Sequence, residues 1–264
     1  MIAVCATSTL ASSTAFADDS ISATKSLDRA RVSKRRMQNL GLTLGAASLT
    51  IASGTVLRPY LAPTECRWCS VPGVDASVRN ALVWSNPDRA NMLSNVTGHA
   101  LVPVASIGLL ALGSISAAGA DNLFDDLLPV VESVALTQLA VQGFKFGFGR
   151  ERPFAHYGGA AEGSDTNMSF VSGHSALVFS LVTSAGMVAH ERGYKIEPYI
   201  WGIGLPLAAT TAYLRIAADK HYMTDVIAGS LIGAAAGLFV PKLTKRLPFE
   251  IAPSPNGLSI VGQW

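Results

Sequence analysis

The chain has 264 residues, 49% hydrophobic and only 14% charged, with a formal net charge of +2 and a mean hydropathy of +0.35. A soluble domain of this size carries roughly twice that share of charge, and so small a net charge leaves no nucleic-acid footprint. Gly, Ala and Ser run through the apolar stretches, which suits closely packed membrane helices. The composition therefore points to an all-α, polytopic membrane bundle.

Residues 1–37 read as a signal-like or disordered basic segment. Ala15-Phe16-Ala17 before Asp18-Asp19 resembles a signal-peptidase site, although no Lys or Arg precedes it, and a basic cluster runs from Lys25 to Arg36. Six apolar stretches follow, roughly Gln38–Leu57, Thr97–Ala118, Leu127–Phe144, Ser175–Ala189, Tyr199–Leu214 and Val226–Val240, with Glu132 as their one formal charge. Most approach bilayer-spanning length and lack the polar face of a surface helix, so residues 38–246 are expected to form one membrane domain of about six spans. The basic residues before the first stretch, with Lys242, Lys245 and Arg246 after the last, place both ends in the cytoplasm. Segments 58–96, 145–174 and 215–225 then gather on the opposite, extracytoplasmic side. There, Cys66 and Cys69 of Cys-Arg-Trp-Cys are expected as a local disulfide or an inert thiol pair. In the tail, 247–264, Pro253, Pro255 and Asn256-Gly257 mark a turn between two short alternating segments, consistent with a β-hairpin.

Three of the polar stretches carry chemistry. Lys145 and Arg152 are seven residues apart, so they share a face if the third helix continues that far, and Pro153 ends it. The bland alternative is a basic collar at the membrane interface. Ser169-Phe-Val-Ser-Gly-His174 opens the fourth apolar stretch: Ser172 can cap the helix and Gly173 admits close approach to the free N–H groups of a helix start, which favour an anion. His174 at its edge can exchange a proton with a leaving oxygen. Finally Arg215-x5-His221-x3-Asp225 sets an imidazole and a carboxylate four apart. On a helix, Asp225 can accept the proton of one ring nitrogen and leave the other as a nucleophile, while Arg215 offers a fork for phosphate oxygens. Taken singly, each stretch also reads as a cap, a turn or an interfacial side chain. Together they supply cations, backbone donors and two histidines, the set a tetrahedral oxyanion needs, with no carboxylate cluster to hold a metal.

The order Lys-x6-Arg-Pro, Ser-Gly-His, Arg-x5-His-x3-Asp resembles the signature of the type 2 phosphatidic acid phosphatase and vanadium haloperoxidase superfamily. The resemblance implies an α-helical bundle in which His221 attacks phosphorus to form a phosphohistidine, Asp225 orients it, and His174 protonates the leaving group. It implies that Lys145, Arg152, Ser172, Gly173 and Arg215 hold the phosphate, and that no metal or other cofactor serves the hydrolysis. Two positions depart from the family pattern: Val171 stands where Pro is usual and Leu214 where Ser is usual. The expected activity is hydrolysis of a phosphomonoester or diphosphate, with a lipid favoured because the loops sit at a membrane surface. The alternatives are an exported acid phosphatase for soluble phosphoesters, a vanadate-dependent haloperoxidase, and a catalytically silent membrane scaffold. Outside the motifs, His99 reads as an interhelical hydrogen bond, His156 as solvated, His190 as remote from the site, and Glu132 as an acid reaching the interface.

Overall fold

A computed structural model of the chain describes residues 34–159, 163–246, 249–254 and 257–262. The signal-like stretch and half of the basic cluster, Lys25, Arg29 and Arg31, fall outside the described residues, as do Pro255 and Asn256 of the C-terminal turn. The chain divides into two units, Met1–Gly41 and Leu42–Trp264. A helix, α1, covers residues 34–54. Within the second unit come the short α2 (Arg58–Leu61), then α3 (Gly73–Leu82), α4 (Pro87–Val96), α5 (Val102–Ala118), α6 (Leu123–Phe148), a single turn α7 (Pro153–His156), α8 (Gly173–Arg192), α9 (Glu197–Ala217) and α10 (Met223–Arg246). Strands β1 (Phe249–Ser254) and β2 (Gly257–Gly262) pair antiparallel with Ser254 opposite Gly257, the hairpin that the turn residues announced.

Local chemistry sets the boundaries. Asn86 caps α4 by accepting from the Arg89 amide at 3.0 Å, with Pro87 pre-set in the first turn. Between α4 and α5, residues Thr97–Leu101 widen into a π turn. Pro103, just beyond it, has no N–H to give and its ring would crowd the carbonyl one turn back, a conflict that an extra residue in the turn relieves. The result is one long helical path with a bulge that faces the site. Gly149, left-handed at φ 56°, stops α6, and Gly193 at φ 67° stops α8.

α8 is the axis of the bundle, enclosed by α5, α6, α9 and α10. Its inward residues Val178, Leu181, Val182, Ala185 and Val188 meet Val102 and Leu110 of α5, Val130 of α6 and Ile200 and Ala208 of α9 in the main core. This position corrects the count of six apolar spans. Among the described residues, four helical stretches, Pro87–Ala117, Gly119–Phe148, Glu197–Ala217 and Met223–Leu243, are long and apolar enough to cross a membrane. α8 is wrapped by protein, so Ser175, Ser180, Thr183 and Ser184 sit buried against neighbouring helices, and its hydropathy falls accordingly. Glu132 is also corrected: it does not reach an interface but lies buried on α6, 3% exposed, with Oε2 unpartnered.

Candidate active site

The C-terminal end of α6, the N-termini of α8 and α10, the C-terminal end of α9 and one face of α4 converge at one end of the bundle. They enclose a cavity of about 270 Å³, walled by Lys145, Arg152, Asp165, His174, Arg215 and His221 and completed by Asn91, Asn95 and Lys220. All three sequence motifs thus reach a single pocket. His190, bonded instead to Glu197 at 3.0 Å, is at the other end of α8, sixteen residues or about 24 Å of helix from His174.

His221 is buried, 2% exposed, and its Nδ1 lies 2.8 Å from the Ser169 carbonyl but 3.7 Å from Asp225 Oδ2. The expected His–carboxylate bond is therefore replaced by a His–carbonyl bond. α10 begins at Met223, so His221 precedes the helix and the four-residue spacing does not stack the two side chains. Because a carbonyl only accepts, Nδ1 carries the proton and the lone pair stays on Nε2. Asp225 instead braces the surroundings: Oδ2 accepts from Ser169 Oγ at 2.6 Å and the Tyr222 amide at 3.0 Å, and Oδ1 from Arg150 at 2.5 Å. Arg150 also donates to Asp75 Oδ2 at 2.7 Å, and its guanidinium lies between the rings of Trp68 and Tyr222, 4.2 and 4.3 Å from their centroids. Asp75 in turn accepts from the Thr224 amide and hydroxyl at 3.0 and 2.7 Å, closing the start of α10. The loop before His221 is pinned from outside by Arg79, which holds Asp219 with two bonds of 2.7 and 2.6 Å while Asp219 occupies a left-handed φ of 56°.

The arginines of the site are anchored. Arg152 bonds the Asp165 carbonyl and carboxylate at 3.0 and 2.7 Å and the Lys220 carbonyl at 3.1 Å. Asp165 also holds Arg58 at 2.7 Å. Arg152 and Lys145 do not share a helical face as the spacing allowed: α6 stops at Phe148, four residues earlier, and the chain turns at Gly149 to bring Arg152 back. Arg215 donates to Asn91 Oδ1 at 2.8 Å and Ser94 Oγ at 2.9 Å. The His174 Nε2 lies 2.9 Å from Asn95 Oδ1, and the ring packs on His99 at 4.6 Å between centroids. His99 is thus a ring neighbour of His174 rather than the interhelical hydrogen bond expected. His156 pairs with Glu151 at 2.9 Å beside the site.

Ser172 and Gly173 stand behind the pocket wall. Ser172 caps α8, its hydroxyl taking the Ser175 amide at 3.4 Å, and its own amide is donated to the Asp225 carbonyl at 3.0 Å. A Cβ on Gly173 would lie 3.7 Å from Lys145 Nζ, so the glycine keeps open the space beside that cation. Val171, at the first departure from the family pattern, is fully buried and follows a cis peptide bond. Leu214, at the second, packs with Ala90, Ala217 and Ala218 against α4 rather than facing the cavity.

Burial, reinforced by Arg152, Arg215 and Lys145, holds the His221 imidazole well below its ordinary range. It is therefore neutral and nucleophilic at physiological pH. Burial pushes the Asp165 carboxyl up, but Arg152, Lys145 and Arg58 together outweigh it and keep the group below the usual range. Asn91, Ser94, Asn95, Arg150, Asp75 and Asp165 are the residues that the motifs did not reveal. The one sequence signal was the i, i+4 spacing of Asn91 and Asn95 on a stretch with a clear Asn-Pro helix start.

A search of curated proteins finds no match to the chain. Among solved structures the chain is similar to the crystal structure of Aquifex aeolicus LpxE, at 26% identity over 57% of this chain and 93% of that one, with a TM-score of 0.35. The family model of the PAP2 superfamily matches residues 126–248. The matched residues contain all three motifs.

Proposed function

We propose that this chain is a membrane phosphatase that hydrolyses a phosphomonoester or diphosphate, with a lipid as the substrate class, through a phosphohistidine on His221. One observation carries the reading: two imidazoles and four cationic side chains, drawn from three separate stretches of sequence, line one cavity. His221 attacks phosphorus through Nε2 while Nδ1–H stays on the Ser169 carbonyl. Lys145, Arg152, Arg215 and Lys220 offset the charge gathering on the equatorial oxygens. The bond from phosphorus to the leaving oxygen breaks, and His174 gives that oxygen a proton. Water then attacks the phosphohistidine, returns a proton to His174, and frees His221 and phosphate. Asp225 acts through Ser169 and the Tyr222 amide, as a positioning group for His221. A lipid is favoured because the cavity opens at the end of helices long and apolar enough to span a bilayer, where a head group can reach it while the chains stay in the membrane. The resemblance of the motifs to the superfamily supports hydrolysis without a metal.

The test is phosphate release from a chromogenic phosphoester, in detergent with excess EDTA. Activity is expected, with inhibition by vanadate and a loss of about a thousandfold or more in His221→Ala and His174→Ala at unchanged expression. Activity surviving His221→Ala would overturn the mechanism, and vanadate-dependent halide oxidation would replace hydrolysis by haloperoxidase chemistry. A panel of lipid phosphates against soluble phosphoesters decides the substrate class.

A further inference from the structure

The helix that no motif points to holds both halves of the site. Asn91, Asn95, Gly98 and His99 follow one another at helical spacing along the α4 path, on a single face. Asn91 accepts from Arg215, and since a guanidinium only donates, this fixes the amide with Oδ1 toward the arginine. One turn on, Asn95 Oδ1 meets His174 Nε2 at 2.9 Å. The π turn then presents the missing side chain of Gly98 and the ring of His99 to the same imidazole: a Cβ at Gly98 would lie 3.2 Å from His174 Cδ2. His174 is therefore held by three residues of one helix face, and Arg215 by a fourth.

We propose that Asn95 is a positioning residue for the phosphatase reaction, whose side-chain carbonyl orients His174 and favours its protonated, acid form; the proposal rests on the reading of His174 as the proton donor. A carbonyl accepts more strongly from an imidazolium than from a neutral ring. That preference opposes everything else around His174. Burial, and after it Arg215 of α9, His99 of the π turn, His221 and Lys145 of α6, all press the ring toward its neutral form. Asn95 is the neutral acceptor on the other side of the balance.

The test is a histidine NMR titration of the detergent-solubilised full chain, with His174 assigned by its loss in His174→Ala, run beside pH–rate profiles. Asn95→Ala is expected to move the His174 titration down by about one pH unit and to lower kcat about tenfold with little change in KM. The nearly isosteric Asn95→Asp, which puts a full negative charge on the same ring, is expected to move it up. An unmoved titration in both variants overturns the proposal, and so does unchanged kcat in Asn95→Ala. Should Asn95→Ala fail to accumulate, Asn95→Asp reads the same contact by itself. A wild-type protein inactive on every phosphoester would sink the phosphatase reading, while the NMR arm still decides the contact.

Discussion

Arg150 is 1% exposed and answers two carboxylates, Asp75 and Asp225, that are themselves fully buried. Removing one partner of such a group leaves uncompensated charge in a low dielectric, at a cost of about 3–5 kcal/mol. Arg150→Ala is therefore expected to destabilise the fold by about that amount, read as a lower unfolding midpoint in detergent, and Arg150→Lys to recover only part, since an ammonium neither bridges two carboxylates in a plane nor stacks between two rings. In the sequence this residue is indistinguishable from its neighbour Arg152; only the arrival of Asp75, seventy-five positions away, separates a structural arginine from one that faces the cavity. His221 carries the complementary lesson. The His-x3-Asp spacing implied a bond between the two side chains, yet the His221 Nδ1 bond goes to a backbone carbonyl, because helix α10 starts two residues too late. Its environment also fixes a pH dependence. Burial first, then Arg152, lowers the pKa of His221, so the nucleophilic neutral form persists below pH 6.5 and is lost only as pH falls through the depressed value. The acid limb of kcat/KM is expected below pH 6.5 in the wild type. Arg152→Gln removes a cation and is expected to shift that limb upward, whatever it does to KM.

At the scale of elements, α8 and α10 meet backbone to backbone. Gly229, Gly233 and Gly237 recur every four residues on α10 and lie against the backbone of α8: a Cβ on Gly229 would sit 2.5 Å from the Ser172 carbonyl oxygen, one on Gly233 would run into Ala176, and one on Gly237 into Thr183 and Ser184. Small residues at this spacing let two helix backbones meet. Here that approach sets the helix start at Ser172–Gly173 against Asp225, the Ser172 amide bonding the Asp225 carbonyl at 3.0 Å. Gly233→Leu, ten residues from the start of α10, is expected to push the helices apart, costing about 3 kcal/mol and cutting activity at least tenfold. Gly143→Ala on α6, where a Cβ meets nothing within 4 Å, is the control, expected to change stability by less than about 0.5 kcal/mol. Thermal melts and phosphate release on the two variants compare them directly. The abundance of Gly, Ala and Ser announced close helix packing, but the sequence could not say which pair would use it. It also counted α8 among the spans, whereas four neighbouring helices enclose it and bury its serines and threonines.

For the whole molecule, the question left by the sequence is why so many basic residues gather where the positive-inside rule disfavours them. Several of them form ion pairs: Arg58 and Arg152 with Asp165, Arg79 with Asp219, Arg150 with Asp75 and Asp225. At the other end, Lys195 is exposed. The expectation from the sequence that the site end faces away from the cytoplasm would also leave the Cys66–Cys69 disulfide in a compartment that tolerates it. Impermeant maleimide labelling decides it, in a background lacking the native cysteines. Tyr60→Cys, at an 86% exposed position on the site side, should label on intact cells, and Lys195→Cys only after permeabilisation. The reverse pattern would put the cavity in the cytoplasm. It would leave a disulfide in a reducing compartment and demand a substrate presented by the inner leaflet.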